Sequence, residues 1–423
     1  MNVELFEVLR CPYCGGRLEL VTSLFHERQG DDIQHGILGC HCCIFPVVDG
    51  IPVLHLQNNA TVARDQVQAG QPDLALRTMV GVEDEAQAEA FDAARRSATS
   101  TYKETVEALG PNFEGGYFLY RFSDPTYLVA QAIARTVAKT VLPSTSAGDA
   151  GPRRAIDICG GSGHLTRSLL DLSTAAPVLA DLYFAKIWLA RRFTAPGCEP
   201  VCCDGNAPMP FARGAFSFAM CTDAFMYIWT KRQFVGEMAR LIDNPDAEPG
   251  AILIGHTHNE RTWTPSHGQP LSPEGYAALF ETLPARIFGE SQLFTDVVAG
   301  GPLDLSRREP NDVLDREQAL AIVATTRADV YTRHPLPGDA AVGGEYRLNP
   351  LYVVEREGDR TRLRLQFPSE DYADEYGACR QYLPDEVAVH HTALEMLPGD
   401  VVPPALDDLA KRRVILKLPR RYY

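Results

Sequence analysis

Acidic residues that close short apolar runs, with a glycine bend beside the first, are the residues of this chain best placed to do chemistry. The string RAIDICGGSGHLT, residues 154–166, sets Asp157 between Ile156 and Ile158 and follows it with Cys159, Gly160, Gly161 and Gly163. Glycine there lets the backbone approach a ligand where a side chain would collide. Leu165, Leu169 and Leu170 then share one face of an expected helix. Eighteen residues after Gly163, VLADL ends a second run near Asp181, where a carboxylate can accept hydrogen bonds from both hydroxyls of a ribose. The segment CEPVCCDGNAPMPFARGAFSFAMCTDAF, 198–225, reads as a third strand ending at Asp204, a Pro-rich loop holding Asn206, and a fourth strand ending at Asp223. Strand, turn, helix, strand and acid in that order describe a nucleotide-cofactor pocket. The turn alone is also what any tight strand-to-helix connection needs.

Taken together, residues 110–300 resemble the class I S-adenosylmethionine-dependent methyltransferases in their pattern of acid, small residue, proline, Phe and aromatic-rich strand. The resemblance implies an α/β fold, a Rossmann-like sheet with helices on both faces. It also implies roles: Asp157 and the backbone from Cys159 to Gly163 for the methionine moiety, Asp181 for the ribose, Asp204 with Asn206 for the adenine edge, and Asp223 near the sulfonium. Two positions depart from the family. Its first turn glycine is Cys159 here, and the acid usual in its fourth strand is Ser217. A dinucleotide site is the competing reading of the pocket, but the G-x-G-x-x-G spacing is missing, since Gly161 and Gly163 are followed by Thr166.

Methyl transfer from a sulfonium is an in-line displacement whose leaving group is already good, so alignment is the protein's main task. An oxygen or nitrogen acceptor also calls for a base near neutrality, which suits histidine. His256 and His258 end the expected fifth strand, AILIGHTH at 251–258, and Tyr227 follows the fourth. These three are the candidate catalytic residues. Each also has a plain structural reading, the histidines as hydrogen-bonded strand-end residues and Tyr227 as pocket wall.

A second constellation lies ahead of the first. Cys11-Pro-Tyr-Cys14 and Cys40-His-Cys-Cys43 are two Cys-x-x-Cys knuckles, the arrangement by which facing hairpins offer four thiolates to a tetrahedral zinc ion. The expected ligands are Cys11, Cys14, Cys40 and Cys43, with Cys42 the alternative to Cys43. Such an ion would replace the core that a segment of this size cannot build alone. With FPVVDGIPVLHL at 45–56, residues 1–56 resemble the small zinc-ribbon family that activates tRNA and translation-factor methyltransferases. Four thiolates leave no open coordination position, which makes the metal structural.

At 423 residues the chain has length for two or three units, and 45% hydrophobic with 22% charged residues is a globular composition. A formal charge of −15 opposes a large nucleic-acid footprint and favours a small-molecule acceptor, such as a specialised metabolite, over tRNA, rRNA or protein. The basic run Lys411, Arg412, Arg413, Lys417, Arg420 and Arg421 reads as a solvated face. The opening MNVELFEVLR is neither signal nor anchor, no run is long enough for a membrane span, and eleven cysteines suit a reducing, cytoplasmic setting.

The expected division is a ribbon at 1–57, a linker at 58–109 with one exposed helix near 82–97, a methyltransferase unit at 110–298 and an accessory α+β region at 299–423 that forms the acceptor pocket. GGYFLYRFSDP at 115–125 precedes a helix begun by Asp124 and Pro125. Its Tyr117, Phe118, Tyr120 and Phe122 are either core or a lid over the sulfonium. Thr230 and Gln233 read as a capping box. Beyond 298 the expectations are a helix near 311–328, a hairpin of LYVVER with RTRLRLQF around Gly358, and a last strand at 414–419.

Overall fold

The computed structural model describes residues 1–82, 84–110, 116–142, 153–264, 268–358 and 360–423. Gly115, at the head of the aromatic segment, lies outside them. Seven short apolar runs pair into one sheet: β1 Ala155–Ile158, β2 Val178–Asp181, β3 Glu199–Cys202, β4 Phe218–Thr222, β5 Ala251–His258, β6 Ala285–Gly289 and β7 Ala319–Ala324, in the order β6-β7-β5-β4-β1-β2-β3. β1 to β5 pair in parallel, and β7 runs antiparallel to both of its neighbours. Strands buried on both faces carry unbroken apolar runs, as in ALAIVA of β7, in which every residue is buried. The chain winds outward from β1 to β3 and then returns to β4 on the other side of β1. A crevice therefore opens beside the carboxyl ends of β1 and β4.

The two faces of the sheet feed two cores. One holds Leu179, Met220 and Leu253 against the helix Pro125–Val141, whose Val129, Ile133, Val137 and Val141 are all buried. The other holds Ile156, Val178 and Ile252 against Phe234, Met238 and Leu241 of the helix Lys231–Ile242. Helices on both faces were expected. Two local expectations fail. The stretch after the glycine bend forms only a short 3₁₀ turn, Thr166–Leu169. Thr230 makes no side-chain cap, because its hydroxyl donates to the Asn206 carbonyl at 3.3 Å.

The ribbon is joined to the large sheet through backbone. Its strands Asp32–Gly39, Ile44–Val48 and Ile51–Pro52 pair antiparallel in sequence, and Val53 then bridges in parallel to Cys202 at the β3 edge, with Leu54 N donating to Cys202 O at 2.7 Å. On its other side Leu9 bridges Phe211, Arg10 N donates to Pro210 O and Ala212 N to Val8 O, both at 2.8 Å. The ribbon thus covers an otherwise open sheet edge and grips the loop that follows β3. Leu5, Leu9, Leu38 and Phe45 share the core of Ile156 and Val201.

Residues 58–109 are not a bare linker with one exposed helix. They form four helices, Asn58–Gln68, Pro72–Val80, Glu85–Arg96 and Tyr102–Leu109. These bury Ala60, Ala63, Leu76, Met79, Phe91 and Tyr102 against the first core. Alanine supplies much of the contact by allowing close approach, so the stretch lacks the large apolar periodicity of an ordinary packed helix.

Past residue 298 the chain still contributes to the large sheet. The expected helix near 311–328 is replaced by one turn at Asn311–Leu314, strand β7 and a 3₁₀ turn at Ala328–Val330. Likewise β6 stops at Gly289 and the helix Glu290–Val298 begins at once. The hairpin forms as expected, Tyr352–Glu357 with Arg360–Leu365, extended by Glu386–His390. Ile415–Leu418 pairs with Glu345–Leu348. These strands enclose a third core around Leu351, Leu363, Leu406 and Val414. Among the described residues no helix is long and apolar enough to cross a membrane.

Candidate active site

A cleft of about 1610 Å³ lies over the carboxyl ends of the parallel strands and is lined by Asp157, Cys159, Gly160, Gly161, Asp181, Asp204, Asn206, Asp223, Tyr227, His256 and His258. Of the predicted cofactor and catalytic residues, only Gly163 is missing from that lining. It sits behind the turn at φ +74°, where an added Cβ would come within 2.8 Å of Ala190. At Gly160 an added Cβ would lie 2.5 Å from Leu179 and 2.6 Å from the Asp157 carboxyl, so only glycine fits. Asp157 is buried and accepts from the Thr166 hydroxyl at 2.6 Å. Burial pushes its carboxyl up to about 7.

Asp181 accepts the Gly161 and Tyr183 backbone N–H groups at 2.9 and 2.8 Å, one on each oxygen, which fixes its plane and leaves a lone pair on each. Asp204 accepts from Asn206 N at 2.8 Å, and the Asn206 carboxamide oxygen accepts from Trp229 N at 2.8 Å. That pair of bonds ties the loop after β3 to the loop after β4. Asp223 is held at φ +57° and lies 3.2 Å from the buried guanidinium of Arg121, which also donates to Asp124.

The facing wall comes from β5. A register shift between Ile254 and Thr257 throws His256 into a left-handed conformation at φ +45°. Its backbone N–H donates to Glu290 Oε1 and its Nδ1 meets Glu290 Oε2, both at 2.7 Å. Burial disfavours the charged ring, yet the Glu290 carboxylate outweighs it and carries His256 up to about 9. His258 moves the opposite way, lowered by burial and then by the charge on His256. The two rings stand 5.5 Å apart, edge to face. Tyr227, Trp229 and Trp263 form an exposed aromatic rim.

The four aromatics of residues 117–122 divide. Tyr117 and Phe118 line the cleft, Phe122 packs on Tyr127 in the core, and Tyr120 packs on Tyr372 of the region beyond 298. Phe118 has the Lys186 ammonium 4.8 Å above its ring.

In the ribbon, Cys11, Cys14, Cys40 and Cys42 bring their sulfurs within 4.8 Å of one another. Sulfur pairs stand at 3.7 Å for Cys11 with Cys42, 3.7 Å for Cys14 with Cys40, and 3.6 Å for Cys40 with Cys42. Tetrahedral zinc with thiolates at about 2.3 Å requires sulfur separations of about 3.8 Å, so the set is compatible with that ion. Cys43 is the residue placed otherwise. Its sulfur lies outside the group, 3.4 Å from Cys42, while its carbonyl accepts from Cys40 N at 3.0 Å. The sulfur group that could hold an ion therefore includes Cys42 and leaves out Cys43.

No family model and no curated protein matches this sequence. Solved structures do match it. A putative methyltransferase from Bacillus halodurans aligns at 17% identity over 42% of this chain and 94% of its own, with a TM-score of 0.28. The geranyl diphosphate C-methyltransferase from Streptomyces coelicolor aligns at 17% identity over 43% and 72%, with a TM-score of 0.32. A complex of the Haloferax volcanii Trm112 methyltransferase activator with a putative methyltransferase aligns at 14% identity over 57% and 96%, with a TM-score of 0.35. The chain's own fold is an α/β sheet of seven strands with helices on both faces.

Several cleft residues of this fold escaped sequence reasoning. Glu290 begins a helix directly after β6, and only the pairing of β6 with β7 and β7 with β5 carries it to His256. Arg121 was hidden in an aromatic string. His164 lines the cleft and meets the Tyr422 hydroxyl at 2.6 Å, and burial holds its ring neutral, down at about 3. Asp371, Asp374 and Glu375, on the helix Glu370–Tyr376, also reach the cleft.

Cys159, the non-glycine residue at the head of the turn, sits at φ +60°. A left-handed non-glycine residue costs roughly 1–2 kcal/mol, part of which glycine returns through its freer unfolded state. Cys159→Gly is therefore expected to stabilise the chain by about 1 kcal/mol, read as a higher urea midpoint at unchanged slope. A lower midpoint would show that the Cys159 thiol contributes more than the strain costs.

Proposed function

We propose that this chain transfers a methyl group from S-adenosylmethionine to an oxygen or nitrogen atom of a small-molecule acceptor such as a specialised metabolite. One observation carries the reading. Carboxylates at the ends of four successive strands, Asp157, Asp181, Asp204 and Asp223, open onto one cleft beside a glycine turn. The residues suit the donor: Asp181 keeps lone pairs for a ribose, and the buried Thr222 hydroxyl in the lining has no hydrogen-bond partner among the described residues. When bound, the donor supplies a methyl group on a sulfonium with a good leaving group.

The protein's own part is to hold and to deprotonate. The strand-end carboxylates fix the donor, and Tyr117 and Phe118 screen it from water. His258, neutral and facing the cleft, takes the acceptor proton, while Glu290 anchors His256 beside it. The cleft exceeds the roughly 300–1,000 Å³ of a site for one small ligand, which leaves room for an acceptor. The helix Glu370–Tyr376 supports the acceptor-pocket role of the region beyond 298. Zinc in the Cys11, Cys14, Cys40 and Cys42 set is structural and secures the ribbon to β3.

The test is methyl transfer from labelled S-adenosylmethionine to metabolite extract, RNA and protein in parallel. Label in small molecules is the expected result, and label in RNA or protein alone would overturn the acceptor class. Asp181→Ala removes charge-assisted hydrogen bonds of roughly 1.5–3 kcal/mol and is expected to weaken donor binding about 10- to 150-fold by calorimetry. An unchanged Kd would remove Asp181 from the donor site.

A further inference from the structure

The basic residues near the end of the chain do not all face solvent. Arg413 and Lys417 point inward and, with Arg167 from the turn after the glycine bend, line a second cavity of about 290 Å³ that shares no lining residue with the cleft. Arg167 is 6% exposed and donates to the carbonyls of Thr194, at 3.0 Å, and Gly343. Arg413 donates one N–H to the Phe122 carbonyl at 2.8 Å, and its buried Nε has no partner. The Lys417 ammonium meets no partner among the described residues, and its cross-strand neighbour Tyr346 lines the same cavity. Of the two carboxylates in the lining, Asp407 is paired with Lys411 at 2.7 Å. Asp339 alone is left against three cations, an excess of two positive charges.

Two further side chains lack partners. Tyr127 is 4% and Gln131 8% exposed, and neither the hydroxyl nor the carboxamide makes a hydrogen bond within the described residues, although both line this cavity. Both polar groups are therefore open to whatever occupies the cavity. A ligand that carries two negative charges and has a small body accepting and donating hydrogen bonds would offset the charge excess, to which Arg167 contributes, and pair Arg413, Lys417, Tyr127 and Gln131 at once. A carboxylate would neutralise only one of the charges, and two guanidinium groups with an ammonium match the several oxygens of a phosphate.

We propose that this cavity binds a small phosphate monoester, with its phosphate between Arg167, Arg413 and Lys417 and its body against Tyr127, Gln131 and Phe122. The site does not depend on the methyl-transfer reading. It backs onto the cleft through shared elements, since Thr126 and Val129 face the cleft from the helix that presents Tyr127 and Gln131, and His164 does so from the turn that presents Arg167.

The experiment is calorimetric titration of the full-length protein at constant ionic strength with phenyl phosphate, inorganic phosphate and benzoate. Saturable binding of phenyl phosphate is expected, at least about tenfold tighter than benzoate, and Lys417→Met should weaken it about tenfold or more. Tyr127→Phe should weaken phenyl phosphate and leave inorganic phosphate unchanged. Both variants should keep the wild-type circular dichroism spectrum and unfold within a few degrees of the wild type, which reports that they fold. Absence of saturable phosphate binding to wild type, benzoate binding as tightly as phenyl phosphate, or a folded Lys417→Met chain of undiminished affinity would overturn the proposal. Lys417→Gln serves as the second variant where Lys417→Met does not fold.

Discussion

A Cys14→Ser chain is expected to lose its metal and to unfold at a markedly lower temperature throughout its length, beyond the ribbon alone. Structural zinc is worth about 10–16 kcal/mol in small finger peptides, and removal of one of four thiolates forfeits much of that. The loss spreads because the ribbon shares a core with Ile156 and Val201, extends the sheet through Val53 and Cys202, and grips the 204–212 loop through Leu9 and Phe211. Tyr13, inside the first knuckle, stacks on Phe45 and accepts from Leu56 N at 3.2 Å. It also borders a small cavity together with Asp204 and Pro208. Donor affinity should therefore fall with metal content. Elemental analysis and thermal unfolding of the variants check this, with Cys42→Ser behaving as Cys14→Ser and Cys43→Ser keeping its metal. Full metal content in Cys14→Ser, or an unchanged Tm after its loss, would sink the account.

What could be read ahead of the structure was local in the chain. A thiol knuckle, a glycine bend and an acid at a strand end each occupy a few adjacent residues, and the first knuckle, the bend and the acids lie where their spacing placed them, while the second thiol cluster takes in Cys42 in place of Cys43. The residues missed are those that pairing at a distance supplies. Nothing near Glu290 in sequence points to His256, because the two are 34 positions apart and β7 must lie between β5 and β6 before they meet. β7 itself was read as part of a helix, since a buried apolar run of six has no period that separates strand from helix. The helices between 58 and 109 were discounted because alanine stripes look weakly apolar. Between the adjacent Cys42 and Cys43 spacing does not decide, because which sulfur faces Cys11 and Cys14 depends on how the backbone turns at 40–43.

The paired histidines give the largest expected effect on turnover. If His258 is the base, His258→Ala should lower kcat by about 10²- to 10⁴-fold while the donor Kd stays within about twofold. The pH profile separates the two rings. His258, lowered by burial and by the charge on His256, is already neutral at pH 7, so activity should fall only as pH drops below the ordinary histidine range. His256 has a raised value, so its charge is present at neutral pH and is lost as pH rises through about 9, and an alkaline limb there is expected if that charge helps to orient the acceptor beside His258. The groups that face this pair are Glu290, Asp223 and Arg121, all at the same cleft. Glu290→Gln removes the counter-ion of His256. The alkaline limb should then move down from about 9 towards neutrality, and the acid limb should rise, because the downward pull of the His256 charge on His258 is larger than the upward pull of Glu290 that is lost with it. A merely structural Glu290 would lower kcat without moving either limb. Should wild-type activity instead rise through a single limb near 9, His256 would be the base, and Glu290 would be the group that holds it inactive at neutral pH.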